Sequence, residues 1–421
     1  MQMQKTIAIL CSLDTKEQEA LYVKHCIERA GMRTFLIDVS TRNYVCALNP
    51  DVTSHNVFAA SGVDPKQASS LSKLEWISAQ QAGAAKLVPE LCGQGAFDGI
   101  LSIGGLQNTI IGAEALKRLP FGLPKVMLST VASGIRKMDM FMGSRDVTAM
   151  HSVADIVGIN PITETVLKNA ANAVIGMVAG GGQALTKPSV ALTGCTVLGV
   201  ASPGAPEAIR LLEENGHKVA AFHSSGIGGR CMDELIESGV LSSAMEFSLH
   251  EIICNDVMKK GYAMGAKNRL CAAVKRGIPL LVTPGGLDFN DYSAEQFNAG
   301  MAGDISSLKY LFHNSEVVHV KLSPEDGIRA AKLVSERLNE SAGPVSVLLP
   351  LKGFRSDVQP GQALYCPEVD NAMINTFRQT LKPSINRIEV MATINDAEFS
   401  LAAATEMQKI LKLPEDNAYE T

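Results

Sequence analysis

The chain has 421 residues, 46% hydrophobic and 19% charged, with 36 glycines and one tryptophan. That length exceeds what one hydrophobic core usually serves, so two domains of ordinary α/β composition are expected, and a disordered or fibrous chain is excluded. Lys+Arg 38 against Asp+Glu 43 gives a net charge of -5 with 5% aromatic residues, so no basic footprint exists and nucleic acid is excluded as a partner. The 9 cysteines show no CxxC spacing and an odd total, which argues against a disulfide framework and a zinc cluster and points to a reducing, cytoplasmic setting. The apolar stretch in "MQMQKTIAIL" is too short for a secretory signal, and no run approaches the ~18 apolar residues of a span, so neither export nor membrane insertion is expected.

In chain order, "KTIAILCS" reads as a fully apolar strand of the parallel-sheet kind, "TKEQEALYVKHCIERAG" as a helix ended by Gly31, and "RTFLIDVS" as a second strand. A long helical segment from "PKQASS" to "ELCGQG" follows, then a strand into "SIGG", a helix from about Ile110 to Leu119, the strand "PKVMLSTVASG" and the helix "TETVLKNAANAVIGMVAGG". "GQALTKPS" breaks the periodicity, which divides the chain into an N-terminal lobe, 1–185, and a C-terminal lobe, 186–421. "SVALTGCTVLGVASPGAPEAIRLLEENGHKVAAFHSSG" then repeats the opening order of strand, turn, helix, glycine and strand, with Gly216 in the part of Gly31. Helices at "GRCMDELIESG", "LHEIICNDVMKKG" and "AKNRLCAAVKRG" alternate with the strands "SSAMEF" and "IPLLVTPGG". Strands "SEVVHVKL", "PVSVLLPL" and "RIEVMAT" and their helices complete the lobe. The fold class is α/β: two Rossmann-like doubly wound lobes with mostly parallel sheets.

In such sheets ligands lie beyond the carboxyl ends of the strands, where helix N-termini and free amides converge. In the first lobe, Gly104, Gly105, Gln107, Asn108 and Thr109 form a turn whose amides suit phosphate, with Thr109 placed to cap the next helix. The turn lacks both the Gly-Lys-Ser/Thr ending of a Walker loop and the third glycine of a dinucleotide fingerprint, and a plain strand-to-helix corner has the same composition. Thr130, Ser133 and Gly134 after the next strand can close on the same ligand, and Asp14, Thr15 and Lys16 stand at another helix start. In the second lobe, "HSSGIGGR" offers the amides of Gly226, Gly228 and Gly229 and the guanidinium of Arg230 to a carboxylate or phosphate, with His223 as acid or base; His223 also reads as a hydrogen-bonded structural histidine. Asp288 and Asp291 in "GGLDFNDY" are candidates to hold a ribose or metal, and Asp288 to orient that histidine, although Asx turns share the composition. His250 with Glu251, and His313 with His319, show no metal-ligand spacing, and no metal residue is assigned.

Long motifs now in place carry a resemblance: "LDTK", "LIDVST", "LPFGLPKVMLSTVASG", "SVADIVGIN", "FHSSGIGGRCMDELIESG", "GIPLLVTPGGLDFNDY" and "GPVSVLLPLKGF". Over nearly its whole length the chain resembles the family typified by the N-terminal ATP-binding domain of the tomato mosaic virus resistance protein. The resemblance implies two Rossmann-like halves, ATP as cofactor at the first-lobe loops, and a homodimer; magnesium is compatible with such a ligand, but no site for it is read. Two departures stand out. Gln107 and Asn108 replace glycines of the family's richer run, so they either fill phosphate space or donate to a different ligand, and "CND" at 254–256 stands where the family tends to carry Gly-Gly. Three readings result: a nucleotide-binding protein of ATP type; an enzyme acting on a small carboxylated or phosphorylated metabolite held at 223–230, with His223 as acid/base and Asp288 orienting it; and a non-catalytic binding protein.

Overall fold

The computed structural model describes residues 4–41, 46–133, 138–185, 188–201 and 203–412. The chain divides into two compact units, Met1–Leu185 and Thr186–Thr421.

The first unit runs β1 (Thr6–Cys11), α1 (Leu13–Arg29), β2 (Arg33–Asp38), α2 (Ser54–Ala60), α3 (Lys73–Gly93), β3 (Gly99–Gly104), α4 (Leu106–Leu116), β4 (Lys125–Ser129), α5 (Asp139–Met142), β5 (Thr148–His151) and α6 (Pro161–Ala179). Its sheet has the order β2-β1-β3-β4-β5, and every pair is parallel. β1 is covered on both faces, which is why "TIAILC" is apolar or small throughout and buried throughout. Alternation with period 2 sends Ile7, Ile9 and Cys11 to a core with α1 and α6, and Ala8 and Leu10 to a core with α2, α3 and α4. Each fully buried Ile or Leu contributes roughly 1.5–3 kcal/mol. Side-chain caps fix where helices begin: Ser72 accepts from the Glu75 amide at the start of α3, and Asn160 from those of Ile162 and Thr163 at the start of α6.

The second unit repeats that walk. β6 (Leu192–Val197), α7 (Gly204–Glu214), β7 (Lys218–His223), α8 (Gly228–Glu237) and β8 (Ser243–Glu246) lead to α9 (His250–Ile252), a π turn at Ile253–Val257, α10 (Cys271–Arg276) and β9 (Leu280–Val282). β10 (Phe289–Ser293), α11 (Ala294–Asn298), β11 (Tyr310–Phe312), β12 (Val317–Lys321), α12 (Pro324–Leu338), β13 (Val345–Pro350), α13 (Pro367–Thr380), β14 (Asn386–Val390) and α14 (Ala397–Lys412) follow. The main sheet has the order β14-β13-β9-β8-β6-β7, all parallel, so the doubly wound Rossmann-like reading holds for both units. Among the described residues no helix is long and apolar enough to cross a membrane.

Three expectations are corrected. α4 begins at Leu106, not Ile110, with Gly105 as its N-cap, so Thr109 lies inside the first turns and is not the cap. The turn read in "GGLDFND" ends early: Phe289–Ser293 is a buried strand of a small antiparallel sheet, β10-β12-β11, that hydropathy did not reveal. The helix read across "AKNRLCAAVKRG" is confined to Cys271–Arg276, because Asn268 and Leu270 have left-handed backbones (φ 59° and 75°) that stop it from starting sooner.

Candidate functional site

In the first unit, strand order reverses between β1 and β3, the place where an open parallel sheet leaves a crevice at its carboxyl edge. A cavity of about 220 Å³ lies there, lined by Ser12, Asp14, Thr15, Lys16, Thr41 and the run Gly104–Asn108. Gly105 supplies no side-chain cap, so the first-turn N–H groups of α4, at the positive end of its dipole, are left to the cavity. At the start of α1 the amides of Leu13 and Asp14 are already committed, to Asp38 Oδ1 at 3.1 Å and Ser40 Oγ at 2.9 Å, which fixes the first turn that carries Lys16.

Gln107 and Asn108 separate in role. Asn108 is 4% exposed; its amide donates to the Ile103 carbonyl at 2.7 Å, and its carbonyl accepts from Ser12 Oγ at 3.3 Å, so it ties α4 to the ends of β3 and β1. Gln107 reaches across the cavity edge and donates to Thr41 Oγ1 at 2.9 Å. Thr109 is buried, with its hydroxyl 2.6 Å from Ser129 Oγ, and does not line the cavity. Thr130 donates its amide to the Gly104 carbonyl at 3.2 Å, but neither it nor the half-buried Ser133 lines the cavity. Gly134 lies outside the described residues.

In the second unit the reversal falls between β6 and β8, and a second cavity of about 220 Å³ is lined by Leu198, Gly199 and Val200 after β6, with His223, Ser225, Tyr262, Phe289, Asp291, His313, Val317 and His319. His223 Nδ1 is 2.7 Å from Ser225 Oγ at its rim. The "HSSGIGGR" amides do not await an outside anion: Gly226 and Gly229 each donate to Glu251 Oε1 at 3.0 Å. Glu251 is in turn held by Arg269 at 2.8 Å, and a side chain on Gly229 would come within 1.7 Å of Glu251 and 2.2 Å of Arg269. Gly228 opens α8, while Arg230, the expected anion-binding cation, pairs with Glu234 at 2.9 Å on an exposed face. The anion site expected at 223–230 is thus filled by the protein's own carboxylate.

Asp288 does not orient His223 either. It is fully buried 2.7 Å from Lys321 Nζ, which also contacts Asp370 at 2.7 Å. Burial opposes the charge on Asp288, but Lys321 and then Arg355 outweigh it and hold the carboxyl below its usual range. Asp370, the second carboxylate on one ammonium, is pushed up to about 6 by burial and by Asp288 against the pull of Lys321. The folded protein therefore holds that proton more tightly than the unfolded chain, and the stabilisation, full below about pH 4, is lost as pH rises through about 6. An Asp370→Asn variant removes this titration, so the stability of wild type minus variant should fall by about 3 kcal/mol between acidic and neutral pH in urea unfolding; a flat difference would contradict the assignment.

Sequence reasoning missed the group behind Asp291. His250 Nε2 is 3.0 Å from Asp291 Oδ1, and Cys254 Sγ is 3.1 Å from the same oxygen and 2.9 Å from Asn290 Oδ1. Burial disfavours a charged His250, but Asp291 and then Cys254 prevail and hold the imidazole well above its ordinary range. Asp291 pairs across the small sheet with His319, whose Nδ1 lies 2.9 Å from Arg355 Nη2. A guanidinium can only donate, so that Nδ1 accepts and the ring proton sits on Nε2. Burial and then Arg355 push His319 down to about 3, and it stays neutral.

Two doubly wound α/β units, each with a cavity at its strand-order reversal, define the class of protein. The chain belongs to the uncharacterised protein family UPF0261: residues 5–183 match that family's N-terminal domain and residues 187–411 its C-terminal domain. It is 33% identical over 412 residues to a UPF0261 protein of Clostridium tetani, covering 97% of this chain and 100% of that one. It is 30% identical over 311 residues to the ToMV resistance protein Tm-1(GCR237) of Solanum lycopersicum, covering 72% of this chain and 40% of the tomato protein. The resemblance read from the motifs is therefore borne out. Among solved structures, the UDP-GlcNAc 2-epimerase of Methanocaldococcus jannaschii in complex with UDP-GlcNAc and UDP is similar at 10% identity and a TM-score of 0.20, covering 98% of this chain and 94% of that one. MurG of Acinetobacter baumannii is similar at 9% and 0.20, with 96% and 95% covered. Likeness at that level carries no argument about ligands.

Proposed function

We propose that the first unit binds a phosphate-bearing nucleotide of ATP type in the cavity between β1 and β3. The observation that carries this reading is the uncapped start of α4 at the strand-order reversal, with Lys16 among the cavity's lining residues. A polyphosphate there gains the first-turn amides of α4, the helix dipole and an ammonium together, which a corner without a ligand does not need. The family resemblance supports ATP as the particular ligand. Gln107 and Asn108 are compatible with it, since Asn108 is turned into the protein and Gln107 stands at the edge as a donor. Isothermal titration calorimetry with ATP, ADP and AMP, with and without magnesium, tests the reading: heat of binding that strengthens with phosphate number is expected, and no heat for any of the three would overturn it.

A second reading is an enzyme acting on a small carboxylated or phosphorylated metabolite in the second unit. The gathering of His223, His313 and His319 around one cavity favours it.

A further inference from the structure

We propose that His250, Cys254 and Asp291 of the second unit bind a divalent transition metal of zinc type, with a fourth coordination position open to the cavity that Asp291 lines. The three candidate donor atoms already lie within 4.8 Å of one another. His250 Nε2 to Asp291 Oδ1 is 3.0 Å, Cys254 Sγ to the same oxygen 3.1 Å, and Cys254 Sγ to His250 Nε2 3.9 Å. Tetrahedral bonds of about 2.0–2.3 Å put donors about 3.3–3.8 Å apart, so adjustments of a few tenths of an ångström close the site.

Four further features fit a metal better than an ion pair with a bystanding thiol. The Nδ1 of His250 lies 3.0 Å from the Gly286 carbonyl, which can only accept, so Nδ1 keeps a proton and Nε2 is the nitrogen that would coordinate once its own proton is displaced, the usual outer partnership of a metal-bound imidazole. Cys254 Sγ faces two oxygens, of Asn290 and Asp291, at 2.9 and 3.1 Å, yet a thiol has one proton, and a cation between sulfur and carboxylate accounts for the contact with Asp291. A dication with one thiolate and one carboxylate also leaves the buried site without net charge, since the proton of Cys254 and any second proton on His250 go to solvent on binding. Finally, Cys254 sits on the π turn that follows α9, an irregularity frequent at functional sites, and Gly261 packs so close that a side chain there would come within 3.0 Å of the sulfur. Imidazole, thiolate and carboxylate together select zinc, cobalt or iron over magnesium or calcium, so this site is separate in chemistry from any magnesium that accompanies a nucleotide. His319 is not a fourth ligand through Nδ1, which is taken by Arg355.

The test is cobalt titration of the full-length, metal-stripped protein. One cobalt per chain is expected, with a thiolate-to-cobalt charge-transfer band and the intense visible bands of four-coordinate cobalt, all lost when zinc is added. Cys254→Ser should abolish the charge-transfer band and weaken zinc by more than the roughly 10–100-fold that follows loss of an outer partner. Cys271→Ser, at an exposed cysteine, should leave both unchanged. No band in the wild type, or a band that survives in Cys254→Ser, would overturn the proposal. Should Cys254→Ser fail to fold, zinc-edge X-ray absorption of the wild-type protein decides instead: one sulfur neighbour at about 2.3 Å supports the site, and a shell of nitrogen and oxygen alone refutes it.

Discussion

Replacing Arg269 with methionine is expected to destabilise the second unit by at least about 3–5 kcal/mol at neutral pH. Arg269 is 1% exposed and pairs with three carboxylates at once: Glu246 at 2.7 Å, Glu251 at 2.8 Å and Asp233. Burial raises Glu246 and Glu251 above the usual carboxylate range and Asp233 to about 6, with Arg269 acting against it in each case. Without the guanidinium, the carboxylates either stay charged in an apolar setting or take up protons, and both outcomes are unfavourable at pH 7. The loss should therefore shrink under acidic conditions, where protonation no longer competes with solvent. Urea unfolding at two pH values reads both parts; a loss below about 1 kcal/mol, or one independent of pH, would show that the cluster is not the support described. The consequence extends to the cavity. Glu251 holds the amides of Gly226 and Gly229, so the loop that presents His223 and Ser225 depends on the same arginine.

The second large effect is expected at Leu106, where proline should weaken nucleotide binding by about 10–100-fold while leaving the fold intact. Leu106 is the first residue of α4 and is 44% exposed, so little packing is lost. Proline is well tolerated at that position because its missing N–H has no partner within the helix, and Gly105, at φ -79° and ψ -167°, already has the extended backbone that precedes proline. What the change removes is one amide donor to the ligand. A hydrogen bond to a charged group is worth about 1.5–3 kcal/mol, which sets the fold-change. Calorimetry gives the affinity and thermal unfolding the control. Unchanged affinity with an intact fold would separate the α4 amides from the ligand.

Much of the architecture was legible in the sequence, for a physical reason: strands buried on both faces, such as Thr6–Cys11 and Val345–Pro350, have no polar face to maintain and appear as continuous apolar runs. Of the small antiparallel sheet only β12, within "SEVVHVKL", was legible, because β10 reads Phe-Asn-Asp-Tyr-Ser and the buried Asn290 is satisfied by a partner distant in sequence. The start of α4 was misplaced because Gln107, Asn108 and Thr109 resemble a loop, whereas Asn108 and Thr109 are buried and hydrogen-bonded within the unit. In the first unit the glycine turn, Gln107 and Lys16 did converge on one cavity. In the second, a carboxylate that occupies a glycine-rich loop from within leaves no local signature, and neither does a ligand set whose third member is 37 residues from the second. The spacing of His250 and Cys254, one helical turn apart, was the available signal, and it is weak without Asp291.

The most direct test of the nucleotide assignment is a crystal structure of the protein with a non-hydrolysable ATP analogue. The phosphates should lie against the amides at the start of α4, beside Lys16 and Gln107, in the crevice between β1 and β3. Phosphate density at any other place on the chain, with that crevice filled only by solvent, would contradict the account.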